Sequence, residues 1–124
     1  MEGYKVTIKE TSRNLTARER IIMKDTTNAV KLDEAANEIG GVNITVMDYA
    51  VLAIHNEKSE DKDYENYVIR STDGTKYVTG SPSFWNAFME IAEEMVDEGE
   101  YTINVYKIDS KNYKGKQFLT CSLI

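Results

Sequence analysis

The chain has 124 residues, 41% of them hydrophobic, with a net charge of −6, which is enough for one domain with a core and too little for two. One histidine and one cysteine argue against zinc or nucleophilic chemistry, and no apolar run approaches the roughly 18 residues of a membrane span. Residues 1–124 are therefore expected to form a single non-enzymatic domain without cofactor or metal and, with no signal-peptide core in the opening MEGYKVTIKE, to stay in the cytoplasm.

In YKVTIKE, Tyr4, Val6 and Ile8 alternate with Lys5, Thr7 and Lys9, the period of two of a half-buried strand. LTARERIIMKD mixes helix formers with Ile21 and Ile22 and is read as a second strand. LDEAANEI, residues 32–39, reads as a short helix or turn stopped by Gly40-Gly41. From Val42 to Ile54 the β-branched, apolar run VNITVMDYAVLAI predicts a long central strand, with Asp48 at a bend or bulge. HNEKSEDKDYEN is acidic and predicts an exposed loop. YVIRSTDGTKYVTG then gives two strands around Asp73-Gly74, a pair suited to a tight hairpin turn.

The clearest helix follows, with Ser81 as cap, Pro82 in the first turn, Phe84, Phe88, Ile91 and Met95 on one face and Gly99 as its stop. Its remaining surface carries Glu90, Glu93, Glu94, Asp97 and Glu98 with no base. Two last strands, Tyr101 to Ile108 and Gln117 to Ile124, flank a lysine-rich loop. Strands, a hairpin, one helix and a closing hairpin make a mainly β protein, and the best-known fold of this order is the five-stranded Greek-key barrel called the OB-fold.

Residues 107–118 hold four lysines against Asp109, a local charge of +3 that leaves −9 for the rest of the chain. Alternation sends Ile103, Val105, Leu119, Cys121 and Leu123 to the core and Asn104, Tyr106, Phe118, Thr120 and Ser122 to the other face. Two outward rings beside lysines suit single-stranded nucleic acid, because a base stacks on an aromatic ring for about 1–3 kcal/mol whatever its identity while lysines follow the phosphates. Tyr113 offers a third ring near the tip of the loop. Cys121 in its apolar strand reads as a buried structural thiol. His55 lacks a nucleophile or second ligand and reads as a polar residue at a strand end, and Glu60, Asp61 and Asp63 lack the spacing of a calcium loop.

The runs YVIRSTDGTKYVTGSPSFWNAFMEI and SKNYKGKQFLTCSLI, with NLTARERIIMKDTTNAVKLDEA and YAVLAIHNEKSEDKDY upstream, resemble the short single-stranded DNA-binding proteins of phages of Gram-positive bacteria. That resemblance implies an OB-fold protein that coats single-stranded DNA during phage DNA replication in the host cytoplasm, without sequence preference or catalysis. The positions fitting its DNA-binding role are Tyr106, Lys107, Lys111, Tyr113, Lys114, Lys116 and Phe118, with Lys76 and Tyr77 of the earlier hairpin as weaker candidates. Its candidate protein partners are replication proteins and further copies of the chain; no membrane is expected. Bacterial proteins of this function commonly end in an acidic tail, whereas this sequence closes on Leu123-Ile124, so recruitment by a tail is not expected. The rival reading is a small acidic phage protein that binds a host protein, as a DNA mimic, through the carboxylates of the helix and of the 57–65 loop.

Overall fold

The computed structural model describes residues 4–12, 14–58, 60, 62–109 and 115–124. Seven strands form one curled mixed sheet, a half-barrel, in the order β2-β5-β4-β3-β6-β7, with β1 paired to β3 off that path. The strands are β1 (Tyr4–Thr11), β2 (Val30–Lys31), β3 (Val42–Asn56), β4 (Asp63–Ser71), β5 (Lys76–Thr79), β6 (Tyr101–Asp109) and β7 (Gln117–Leu123). The helices are α1 (Ala17–Lys24), α2 (Leu32–Ala35) and α3 (Pro82–Glu94). Among the described residues no helix is long and apolar enough to cross a membrane.

The expected central strand organises the rest. One edge of β3 pairs with β4, while its other edge pairs first with β6 over Val42–Val46 and then with β1 over Ala50–Asn56. The register shifts between Val46 and Asp48, which leaves Met47 as the extra residue of a bulge and reverses the alternation beyond it. Ile44, Val46 and Val51 face one core with Phe84, Trp85 and Phe88 of α3, whereas Ala50, Leu52 and Ile54 face a second core with Met23 of α1 and Val68 of β4. Both sides of β3 are thereby buried, which explains why its sequence is too apolar for a surface strand.

Five strands were expected and seven are found, and the reading of LTARERIIMKD as a strand is overturned. Thr16 Oγ1 accepts from the Glu19 N–H at 3.2 Å while Glu19 Oε1 accepts from the Thr16 N–H at 3.0 Å. This reciprocal cap starts α1 and outweighs the strand preference of Ile21 and Ile22. The acidic loop is also shorter than expected: β3 continues through Asn56 and β4 begins at Asp63, with His55 opposite Asp63 and Ala53 opposite Glu65. Cross-strand pairs of unlike character support these polar strand ends, as does the Lys9 Nζ–Glu65 Oε2 ion pair at 2.6 Å.

The Asp73-Gly74 turn and the capped start of α3 are as read from the sequence, but the helix ends at Glu94 with Met95 as its C-cap, before the expected stop at Gly99, and Ile91 and Met95 are only half-buried. Gly74 has φ +90°, and Ser81 Oγ accepts from the Phe84 N–H at 3.2 Å with Pro82 in the first turn. The helix buries Phe84, Trp85, Phe88 and Ala92 on the sheet, Trp85 stacking on Tyr67 with ring centroids 4.7 Å apart.

Candidate nucleic-acid interface

The closing hairpin pairs Tyr106 with Thr120, Ile108 with Phe118 and Asn104 with Ser122. The opposite set, Ile103, Val105, Leu119 and Cys121, is buried under α3. Leu123 departs from the expected core set: it is 48% exposed, although its cross-strand partner Ile103 is fully buried. Burial pushes the Cys121 thiol up to about 11, as expected of a structural cysteine.

The outer face of β3, β6 and β7 consists of Asn43, Thr45, Thr102, Asn104, Tyr106, Ile108, Phe118, Thr120 and Ser122, none of them charged, in a chain whose residues are 29% charged. Its polar groups are tied to one another. Tyr106 OH and Ser122 Oγ share a hydrogen bond of 2.7 Å, Thr45 and Thr102 share one of 2.8 Å, and Asn104 Nδ2 donates to Gly40 O at 2.8 Å and Asn43 Oδ1 at 2.9 Å. Its apolar members are open to solvent, Ile108 at 39% and Phe118 at 38% exposure. Tyr106 stands diagonally from Phe118 across the ladder, a spacing of about 7–8 Å that aromatic side chains can share. The result is a surface with a hydroxyl-anchored ring, a second ring, and a branched aliphatic opposite the second ring and beside the first along β6.

Gly41 fixes the flank of this surface. Its φ is +72°, and a Cβ there would lie 2.1 Å from Val105 O and 3.0 Å from Tyr106 Cβ, so only glycine lets the turn after α2 press against β6. A cleft of about 280 Å³ opens beside Tyr106, between that turn and Lys107.

The nine sequence candidates separate in space. Tyr106 and Phe118 share the outer face, and Lys116 is exposed at the foot of β7. Lys107 alternates onto the other side of β6 with Val105, and its Nζ donates to Asn37 Oδ1 at 2.8 Å, at the rim of the cleft. Lys111, Tyr113 and Lys114 lie outside the described residues. Lys76 and Tyr77 belong to β5, three strand positions from β6 across the sheet. Lys76 Nζ donates to Ile22 O at 2.9 Å and to Asp25 O, closing the C-terminal end of α1. Tyr77 is half-buried against the α3 core, where burial first and Asp73 second raise its phenol above the usual range.

Sequence reasoning passed over Ile108, although the alternation that chose Tyr106 selects it too, and over the Gly41–Asn104 flank, which no local pattern reveals. Elsewhere, His55 ends β3 with Nδ1 2.8 Å from Asp63 Oδ1 and Nε2 2.6 Å from Glu57 Oε1. Arg70 is held by Asp48 at 3.0 and 2.6 Å and by Glu19 at 3.1 Å.

No protein-family model, curated protein or solved structure matches the chain.

Proposed function

We propose that the chain is a non-catalytic, sequence-tolerant single-stranded DNA-binding protein whose contact surface is the outer face of the closing hairpin. The observation that carries this reading is the uncharged exposed surface bearing Tyr106, Ile108 and Phe118 beside the one lysine-rich stretch of an acidic chain. Rings stack on bases without regard to identity, Lys111, Lys114 and Lys116 neutralise phosphates, and the absence of carboxylates among the residues of this face removes a repulsion that would oppose a polyanion. Asp109 alternates to the other side and accepts from Gln117 Nε2 at 3.2 Å.

The fold supports the reading in the same measure. The run β3, β4, β5, α3, β6, β7 has the five strands and single helix of the OB-fold order, with β1, α1, β2 and α2 placed before it. In this interpretation the half-barrel is an OB-fold whose β5 edge is taken by β2, paired in parallel. The phage replication setting rests on the resemblance of the sequence alone.

Titration with an unstructured oligothymidine at two salt concentrations, followed by tyrosine and Trp85 fluorescence, tests the function. Quenching that weakens steeply with salt, and that is lost in Tyr106→Ala, Phe118→Ala, is the expected result. No binding at low salt would transfer the assignment to the acidic, host-protein-binding reading.

A further inference from the structure

The face opposite the proposed DNA surface has its own character. From Tyr77 to Tyr106 the chain contains six acids, Glu90, Glu93, Glu94, Asp97, Glu98 and Glu100, and no lysine, arginine or histidine. All six are exposed and follow one another along the second half of α3 and the turn after it. The last turn of α3 carries no base, so its carboxylates add to the negative end of the helix dipole, where a cation would be stabilising.

A cleft opens at that same end. Met47, Tyr49, Ala92, Met95, Val96 and Tyr101 line it, with a volume of about 190 Å³. Val96 is 71% exposed and Met47 51% exposed, two large apolar groups left in water at its mouth. Met47 stands there because the bulge pushes it out of the ladder. The floor is firm: Asp48 is fully buried and gripped by Arg70 through two hydrogen bonds. Exposed acids adjoin one wall of the opening: Asp97, Glu98 and Glu100 are chain neighbours of the lining residues Val96, Gly99 and Tyr101. Glu93 and Glu10 lie close enough to Tyr49 that, after burial, their charge helps hold its phenol above the usual range.

A cleft with exposed apolar side chains at its mouth and carboxylates on the helix end beside it, at the negative end of that helix, is complementary to an apolar side chain flanked by cations. We propose that this cleft docks a basic segment of a partner protein, one apolar side chain entering between Met47 and Val96 while neighbouring lysines or arginines meet the acids around it. Tyr101 alternates with Ile103 and Val105, so the cleft opens on the side of β6 opposite to Tyr106. Both faces can be occupied at once, and a protein spread along DNA could hold a partner on its acidic back.

The test uses three peptides on the full chain, by calorimetric titration and amide NMR shift mapping: acetyl-Lys-Lys-Leu-Phe-Lys-Lys-amide, hexalysine, and the Glu-for-Lys version of the first. The expected result is binding of the first alone, with shifts centred on Met47, Val96 and Tyr101. Val96→Glu and Glu98→Lys should each weaken it by about tenfold, and saturating oligothymidine should leave it unchanged. Equal binding of hexalysine, or shifts spread along α3 without the cleft, would overturn the proposal by reducing the site to a diffuse acidic surface. Shifts that appear with rising protein concentration and no peptide would also overturn it, assigning the cleft to a second copy of the chain. Since no arm of the test requires DNA to bind, failure of the DNA reading and failure of this one are read separately.

Discussion

Aromatic rings have opposite fates on the two sides of β3. On β4 and β5, Arg70 is clasped by Asp48 and Glu19, Lys76 reaches the carbonyls of Ile22 and Asp25, and Tyr77 sinks against the core. On β6 and β7, Tyr106 is tethered only at its hydroxyl, to Ser122, while Ile108 and Phe118 hold their apolar surface toward water. The difference lies in what the fold brings within reach. The capping box turns residues 17–24 into a helix above the sheet; Glu19 on it supplies a carboxylate to Arg70, and the carbonyls of Ile22 and of the cap residue Asp25 accept from Lys76. Nothing described covers the outer face of the closing hairpin, so its side chains keep their capacity to bind.

The sharpest way to break this comparison is to remove Asp48. Asp48 is fully buried and Arg70 nearly so; losing the carboxylate would leave a guanidinium in a dry site with Glu19 as its remaining described acidic partner. Asp48→Ala should therefore cost about 3–5 kcal/mol, read as a lower midpoint in urea denaturation. The folded protein should still bind oligothymidine as before, because the rings of the site lie on β6 and β7 and β3 contributes to it only Asn43 and Thr45, before the bulge. A loss of affinity at conditions where the variant is folded would erase the distinction between the two sides.

Phe118→Ala should do the converse. A base that loses its stacking partner forfeits about 1–3 kcal/mol of binding, while a ring already more than a third exposed should change stability by less than about 1 kcal/mol. Fluorescence titration and urea denaturation of the same preparation separate the two quantities. Lys76→Met sits between these cases in kind and below them in size. It should lower stability by about 0.5–1.5 kcal/mol through the lost hydrogen bonds to α1, and leave the salt dependence of DNA binding untouched. A shallower salt slope in that variant would place Lys76 at the phosphates and revive it as a binding residue.

Those outcomes turn on what could be read in the chain beforehand. Periodicity made α3, the Asp73-Gly74 hairpin and the alternation of β6 and β7 legible, because each is written within a dozen neighbouring residues. The bulge at Asp48 was legible from one polar residue in an apolar run. The capping box of Thr16 and Glu19 was equally local and went unused, the strand preference of Ile21 and Ile22 being followed instead; both lie outside the buried core, where β-branching decides little. Three other features were not local at all. Lys76 is a helix cap only because α1 lies over β5, Lys107 meets Asn37 only because the turn after α2 presses on β6, and β2 is a strand only because β5 offers it an edge. Contacts between residues more than 40 apart leave no periodic trace, and they decided which of the sequence candidates are held by the protein and which are not.

His55 gives the smallest effect and refines the comparison from the exposed side. Like Arg70 it sits between two carboxylates, Asp63 and Glu57, but all three side chains are open to water, so the pairing is screened and worth little. The hydrogen bond to Asp63 first, and that to Glu57 second, raise its pKa above the usual histidine value of about 6.5. A group whose folded pKa is raised binds protons more tightly in the folded chain. Its contribution to stability is therefore fully present below about pH 6.5 and fades as pH climbs through the higher folded value. An NMR titration of the imidazole should give a midpoint above 6.5 in the native protein, moving down toward it in Asp63→Asn. Stability should fall slightly between pH 6 and pH 8, and this fall should vanish in His55→Gln. A midpoint at or below 6.5 would mean that the two carboxylates do not hold the ring in solution, and the ends of β3 and β4 would then rest on their backbone ladder and the lysine ion pairs to Glu57 and Glu65.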